Sequence, residues 1–443
     1  MNQENLEHTH NNSNMRKVAL TALAGTSIEW YDFFLYGAAA ALIFPTVFFG
    51  EETPSTALIL SLLTFAAGFI ARPIGGIIFG HFGDKIGRKK TLISALILMG
   101  ISSTLIGLLP TYAMIGVTAP ILLTLLRFAQ GLAIGGQWGG AMLLVTESAP
   151  SNQRGYYGAF AQAGAPIGVI LANLALIITS ALVSEEFFNT WGWRIPFLAS
   201  SVLIVISMYI QLNLEDTKAF KELVLHRNEQ QDDAESVIQR SPIIEAIRKY
   251  PKRIILAAGA FISVQVTFYI LIAFLLAYGV QSVNMARDDM LAAVLIASAI
   301  MVPVQFVFSS YSDRHGRRGI FMLGAVLSGL WAFAIFPLVD TGSFWLIVLA
   351  ITGGLVFLAM MYGPQAAFFT ELFSTEVRYS GATLGYQFGA IIGGAFAPTI
   401  AVKLWTELDI FWVSVYIAFA ALLSLLSVMA LTETYQTDLN KTE

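Results

Sequence analysis

The chain has 443 residues, 56% hydrophobic and 12% charged, with a mean hydropathy of +0.69 and a formal net charge of −4. About a quarter of a soluble domain is charged, so a soluble globular protein is excluded, and disorder and nucleic-acid binding go with it because no basic domain is present. With no cysteine, disulfides, cysteine zinc sites, iron–sulfur clusters and thiol catalysis are also ruled out.

The opening MNQENLEHTHNNSN is polar and lacks a signal-peptide pattern, so residues 1–16 read as a short unstructured tail ahead of a retained first span. A hydrocarbon core of about 30 Å takes about 20 apolar residues per helical crossing. Twelve such runs follow, at roughly 17–47, 56–79, 91–109, 119–147, 155–182, 193–212, 253–281, 290–310, 319–338, 344–371, 379–403 and 410–432. They are solid rather than alternating, which excludes a β-barrel. The one long hydrophilic stretch, 213–252, contains Ser241-Pro242 as a helix start, with Ile243, Ile244 and Ile247 on one face. It reads as a linker with a short amphipathic helix under the membrane. The predicted class is therefore an all-α integral membrane protein: bundles at 17–212 and 253–432, the linker between them, and a tail at 433–443. With the N-terminus in the cytoplasm, 20 of the 25 Lys and Arg fall on that side, so both chain ends are predicted to be cytoplasmic.

The halves repeat. Gly80-His-Phe-Gly-Asp84-Lys-Ile-Gly87-Arg88 follows span 2, and Ser309-Ser-Tyr-Ser-Asp313-Arg-His-Gly316-Arg317 follows span 8, an offset of 313 − 84 = 229. A second pair, Glu147 with Arg154 and Glu371 with Arg378, is offset by 371 − 147 = 224. Duplicated six-helix halves predict a transporter with its substrate bound between them near mid-membrane.

These motifs carry a resemblance. The string Gly80–Lys90 is similar to the loop 2–3 signature of the major facilitator superfamily, and Arg127-Phe-Ala-Gln130-Gly131-Leu-Ala-Ile-Gly135 resembles its helix 4 signature. Within it, Gly25-Thr-Ser-Ile-Glu29-Trp30-Tyr31-Asp32-Phe33 with Tyr36-Gly37, and Arg72-Pro73-Ile-Gly75, resemble the metabolite:proton symporters that include shikimate, α-ketoglutarate, citrate and proline/betaine permeases. The resemblance implies spans 1, 4, 7 and 10 around the cavity. It also implies a latch in which Asp84 caps span 11 and Arg88 pairs with Glu147 or a neighbour. Gly80, Gly87, Arg154, Asp313, Arg317, Glu371 and Arg378 complete that set, with the second copy the weaker; the alternative is charge that serves topology alone. One departure stands out: where the family places a glutamate after Gly135-Gly136, this chain has Gln137 before Trp138, which carries no proton. Either coupling runs through span 1 alone, or the residue mimics a protonated acid.

Ionisable groups in the bilayer are costly and functional by default. Of 29 acids only Glu29 and Asp32 fall well inside a span, and no histidine does, leaving those two as the expected proton carriers. At about 1.5 Å per residue they lie roughly 18 and 22 Å into span 1, level with Arg127 on span 4. Arg127, Gln130 and Gln137 form a polar stripe expected to face substrate, or Arg127 is a structural ion pair with span 1. Arg72 is either a second anion contact or a packing residue beside Pro73. Tyr31, Tyr36, Trp138, Gln162, Gln265, Tyr269, Tyr362 and Gln387 complete the expected substrate contacts, each otherwise serving helix packing. The glycines in 131–140 and 389–394 predict close helix contacts rather than a phosphate cradle, and there is no Gly-Lys-Ser/Thr for an ATP-driven pump.

The expected function is proton-driven uptake of a small organic anion, shikimate-like or a dicarboxylate, by a monomer in a bacterial inner membrane. Neither enzyme activity, metal nor cofactor is expected, and the partners are substrate, H⁺ and lipid. The alternatives are uptake of a zwitterionic osmolyte such as proline or betaine, and proton-driven efflux. The short stretch after Thr432 has no heptads, which argues against the osmosensing subtype.

Overall fold

An unpaired backbone amide is expensive in hydrocarbon, so apolar runs close their own hydrogen bonds as helices. Every regular element among the described residues is helical. The computed structural model describes residues 3–86, 88–215, 242–374 and 377–435. Side chains at 3–14, 80–86, 88–89, 91–92, 136–144, 147–148, 211–215, 242–244 and 379 are left out of the description.

Six long helices form the first half: α1 (Gln3–Leu42), α2 (Pro54–Ile86), α3 (Arg88–Leu108), α4 (Thr118–Ser148), α5 (Arg154–Leu182) and α6 (Ile195–Glu215). Six form the second: α7 (Pro251–Gln281), α8 (Arg287–His315), α9 (Arg317–Val339), α10 (Phe344–Glu371), α11 (Arg378–Ala390, resumed at Ala397–Glu407) and α12 (Phe411–Met429). Ten of the twelve are long and apolar enough to cross a membrane on their described residues, and α3 adds the apolar stretch Ile93–Leu108. The first span differs from expectation. Helix α1 starts at Gln3 instead of after an unstructured tail, because no Gly or Pro precedes Gly25 to break it. The linker helix forms at Pro242–Lys249; the remainder of the linker, 216–241, lies outside the described residues.

Glycine sets the distance between paired helices. A Cβ on Gly168 of α5 would press on the backbone of Trp30 in α1, and one on Gly164 on Thr26. In the second half Gly389 and Gly393 of α11 meet the carbonyls of Ala258 and Ile262 in α7 in the same way. Both glycines recur at an offset of 225 (389 − 164 and 393 − 168), so the duplication reaches the level of single helix contacts. Between α2 and α4, added Cβ atoms at Gly75, Gly131 and Gly135 would fall on the carbonyls of Leu132, Gly68 and Arg72. That crossing is the tightest mounting near the middle of the first half.

The halves meet along α5, α8 and α10. Gln305 Nε2 donates to the Ala159 carbonyl at 3.1 Å, Asn173 Nδ2 to the Leu291 carbonyl at 3.2 Å, and Gln162 Nε2 to the Tyr362 carbonyl at 3.2 Å. Thr146 and Thr370, hydroxyl to hydroxyl at 3.3 Å, are 224 positions apart. They are repeat mates in contact, as two residues on a pseudo-two-fold axis must be. Helices α7 and α11 each carry a π-turn, at Ile270–Phe274 and Ile391–Ala395, a local widening that often accompanies functional sites. Gly394 of the second packs against Phe69 and Tyr269.

Candidate functional site

Helix α1 turns Asp32 into the interior of the first half, where it is 2% exposed. Its surroundings are the hydroxyls of Ser103 on α3 and Ser200 on α6 and the charge of Arg127 on α4. Both hydroxyls act on the carboxylate as loosely held hydrogen-bond partners, since neither oxygen has a partner at close hydrogen-bonding geometry. Gln130 Nε2 donates to Ser103 Oγ at 2.7 Å, while Gln130 Oε1 accepts from Arg127 Nη1 at 3.0 Å. Ser103, having accepted, keeps its own proton to offer. A polar chain thus runs Arg127–Gln130–Ser103 toward Asp32, all of it buried. The direct ion pair that equal depth suggested does not form: Gln130 and Ser103 stand between the charges.

Two buried guanidiniums share one aromatic ring. Arg127 lies 4.1 Å from the centre of the Phe33 ring, 4.3 Å from Tyr36 and 4.7 Å from Phe65. Arg72 lies 4.3 Å from Phe33, 4.6 Å from Phe69 and 5.2 Å from Trp30. Cation–π contact offsets part of the cost of burying a charge, yet Nε and Nη2 of both residues remain without hydrogen-bond partners.

Where the halves face each other there is a small cavity of about 10 Å³, room for about one water. Trp30, Phe34 and Ala165 line it from the first half and Val264, Gln265, Phe268, Tyr269, Leu358, Tyr362 and Tyr386 from the second. Trp30 stacks on Phe34 at 5.1 Å, and Tyr269 packs edge-on to Phe69 at 5.1 Å. An organic solute does not fit this space, so the site is contracted.

Of the sequence-predicted contacts, Gln265, Tyr269 and Tyr362 line the cavity, and Gln387 is buried nearby on α11 with its Oε1 unpartnered. Others sit elsewhere. Arg127 and Gln130 do not line the cavity; their polar ends are turned into the first half, toward Ser103. Tyr31 donates its hydroxyl to the Pro196 carbonyl at 2.9 Å and so ties α1 to α6. Tyr36 is bonded to Thr64 at 2.6 Å beneath Arg127. Gln162 spends its amide on the α5–α10 contact. Glu29 is half-buried. The side chains of Gln137 and Trp138 lie outside the described residues. Phe34 and Phe268 were not expected at the cavity, although Phe34 follows Trp30 at the four-residue spacing that puts two rings on one helix face.

The second copy of the loop motif makes a cross-half contact. Asp313 accepts hydrogen bonds from the backbone N–H groups of Gly155 and Tyr156, each at 2.8 Å, capping the N-terminus of α5 from the opposite half. Arg317 pairs with Asp313 at 2.6 Å and with Glu371 at 3.2 Å. Glu371 also accepts from the Thr434 hydroxyl at 2.8 Å, and the charge of Arg154 acts on it as well. Arg378 Nε donates to the Phe373 carbonyl at 3.3 Å. Gly80, Asp84, Gly87, Arg88 and Glu147 of the first copy lie outside the described residues or side chains. This contact sits at the end of the molecule that carries both described ends of the chain, the termini end, where Met15 and Ala19 of α1 pack with Val145, Ala149 and Tyr157.

Comparison with known proteins bears on this architecture. Residues 30–384 match the family model described as Major Facilitator Superfamily. The chain is 38% identical to an inner membrane metabolite transport protein of Escherichia coli K12 over 97% of its own length and 96% of that protein's. It is 36% identical to the shikimate transporter of the same organism, covering 96% and 97%, and 34% identical to the proline/betaine transporter of Salmonella typhimurium, covering 95% and 84%. In fold it is similar to the E. coli xylose transporter in a partially occluded inward-open conformation, with a TM-score of 0.72 at 18% identity over 95% of this chain and 99% of the other.

Proposed function

The chain belongs to the major facilitator superfamily, and from that premise we propose that this secondary transporter takes up a small organic carboxylate together with protons across a bacterial inner membrane. Both chain ends then face the cytoplasm. The observation that supports this reading is Asp32, a buried carboxylate with no cation paired directly to it, flanked by the Ser103 and Ser200 hydroxyls and reached through Ser103 and Gln130 from the guanidinium of Arg127. A carboxylate in that position can hold or release a proton, and the Arg127 charge at the far end of the chain biases which. Glu29 is a second candidate carrier, three residues earlier on the same helix.

A zwitterionic solute has one feature in its favour: Trp30 and Phe34 present stacked rings at the cavity, a surface that suits a quaternary ammonium. Arg72 beside Trp30 opposes it, because a cation on those rings would sit next to another cation.

The two readings separate in proteoliposomes loaded with purified protein. Labelled shikimate, α-ketoglutarate, citrate and glycine betaine are offered with and without an inward proton gradient. Gradient-dependent accumulation of a carboxylate is the expected result. Accumulation of betaine alone, or of nothing, overturns the reading.

A further inference from the structure

The two buried arginines of the first half look alike in sequence, but only one is built toward the junction of the halves. We propose that Arg72, rather than Arg127, anchors the substrate carboxylate, and that the substrate is a monocarboxylate bearing hydroxyl groups; this rests on the carboxylate reading above.

Arg72 stacks over Trp30, a wall of the cavity, at 5.2 Å. The rings beneath Arg127 are Phe33, Tyr36 and Phe65, none of which lines it. The charge of Arg72 reaches three tyrosines of the opposing half, Tyr269, Tyr362 and Tyr386, all of them cavity residues, whereas that of Arg127 reaches Tyr269 of the three. Arg127 is committed elsewhere, to Gln130 and through it to Ser103. Arg72 shares a hydrogen bond with Tyr269, itself a wall of the cavity; it is 1% exposed, with Nε and Nη2 unpartnered and no carboxylate paired to it among the described residues. Buried cations in proteins are ordinarily paired with an anion, so a guanidinium directly behind the cavity wall with no carboxylate beside it can take one from a ligand. The backbone under it is fixed, since Gly135 packs directly on the Arg72 carbonyl, and a fixed mounting suits a residue that must present two N–H groups to a carboxylate.

The rest of the wall narrows the class. Opposite this one cation stand neutral donors and acceptors, three phenolic hydroxyls and the Gln265 amide, whose Nε2 is also unpartnered. Among the described residues no cation lines the cavity itself; Arg72 stands behind its wall, on Trp30 and Tyr269, and no second cation touches that wall to take a second carboxylate. Hydroxyl groups on the substrate would find donors and acceptors among those neutral groups, and the Trp30 and Phe34 faces accept its apolar body.

The experiment is counterflow of labelled shikimate in proteoliposomes without a proton gradient, which reads binding and exchange apart from coupling. Unlabelled competitors are shikimate, its uncharged carboxamide, and benzoate. Arg72→Gln is expected to raise the half-saturating concentration by about 10- to 100-fold, the worth of a charged hydrogen-bonded contact, and to make acid and amide compete equally. Arg127→Gln keeps the preference for the acid. Benzoate competes more weakly than shikimate in the wild type. Retention of the acid preference in Arg72→Gln, or its loss in Arg127→Gln alone, overturns the assignment. If Arg72→Gln does not fold by its melting curve, Arg72→Lys is read in its place. It keeps the charge but not the two-pronged geometry, so a narrowed acid-to-amide ratio is expected and an unchanged one refutes the anchor. A wild type that carries glycine betaine but no carboxylate sinks the carboxylate reading, and the anchor with it, before any variant is made.

Discussion

The two halves share a scaffold and differ in what they bury. Gly164 and Gly168 in the first are matched by Gly389 and Gly393 in the second, each pair seating its helix on α1 or α7. Inside the first half, however, lie Asp32, Arg72 and Arg127. At the same level the second half offers Gln265, Tyr269, Tyr362, Tyr386 and Gln387, all neutral. Its described buried charges, Arg317, Glu371 and Arg378, are gathered at the termini end. Duplication supplied the frame; the chemistry then diverged, with charge handling in one copy and neutral recognition plus a cross-half clasp in the other. A charge held within one rigid half keeps its surroundings while the halves rock, and its influence on the other half depends on how close they stand.

The division breaks most visibly at Asp32. Asp32→Asn removes the one titratable group at the end of the Gln130–Ser103 chain and leaves the second half untouched. Gradient-driven accumulation is expected to fall to the level of simple equilibration, a loss of at least tenfold, while counterflow persists. Normal accumulation with normal pH dependence in this variant would show that protons move by another route.

Next in size is the shared frame. Gly168→Ala forces a Cβ against Trp30 in the first half, and Gly393→Ala forces one to 2.8 Å from the Ile262 carbonyl in the second. Overpacking of this kind costs about 1–3 kcal/mol. If the halves are equivalent as scaffolds, the two variants lower the melting temperature by similar amounts, and neither changes the acid preference. A drop confined to one half would mean that the repeated glycines are repeated in sequence only.

The clasp comes third. Asp313→Asn keeps an acceptor for one N–H of α5 but loses the charge that meets Arg317 at 2.6 Å. A charge-assisted contact of this kind is worth about 1.5–3 kcal/mol, so opening at the termini end should rise by about tenfold or more. The chain has no cysteine, so Ala366→Cys, buried on α10 at the cross-half contact, reports that opening by its rate of maleimide labelling without background. An unchanged rate would reduce the Asp313 network to a structural role within its own half.

Much of this was legible in the residues. Twelve apolar runs, the repeat offsets and the packing glycines follow from hydropathy and spacing, because the bilayer leaves a chain few alternatives. Asp32 emerged by elimination, since a carboxylate inside a span has little reason to be there otherwise. The direction of side chains within the bundle was not legible. Arg127 and Arg72 are both arginines in apolar helices, and only packing shows that one turns into its own half and the other toward the junction. Tyr31 and Tyr36 stand in the same motif as Asp32, yet their hydroxyls are taken by Pro196 and Thr64. The start of α1 differs for another reason: polarity predicts a tail, but only a helix breaker stops a helix, and none precedes Gly25.

The smallest expected effect sharpens the comparison at a single atom. Tyr36 and Tyr362 are both buried tyrosines near mid-bundle, one in each half. The Tyr36 hydroxyl is bonded to Thr64 at 2.6 Å, and its ring stays under Arg127 whether or not the hydroxyl is there. Tyr36→Phe therefore removes one neutral hydrogen bond, about 0.5–1.5 kcal/mol of stability, and should leave the half-saturating concentration for shikimate within about threefold of wild type. Tyr362→Phe removes a hydroxyl-bearing wall of the cavity, so it should weaken shikimate while leaving benzoate, which has no hydroxyl to lose, as it was. Should Tyr36→Phe instead show the shikimate-selective loss, recognition would extend into the charged half and the partition between the two copies would fail at that residue.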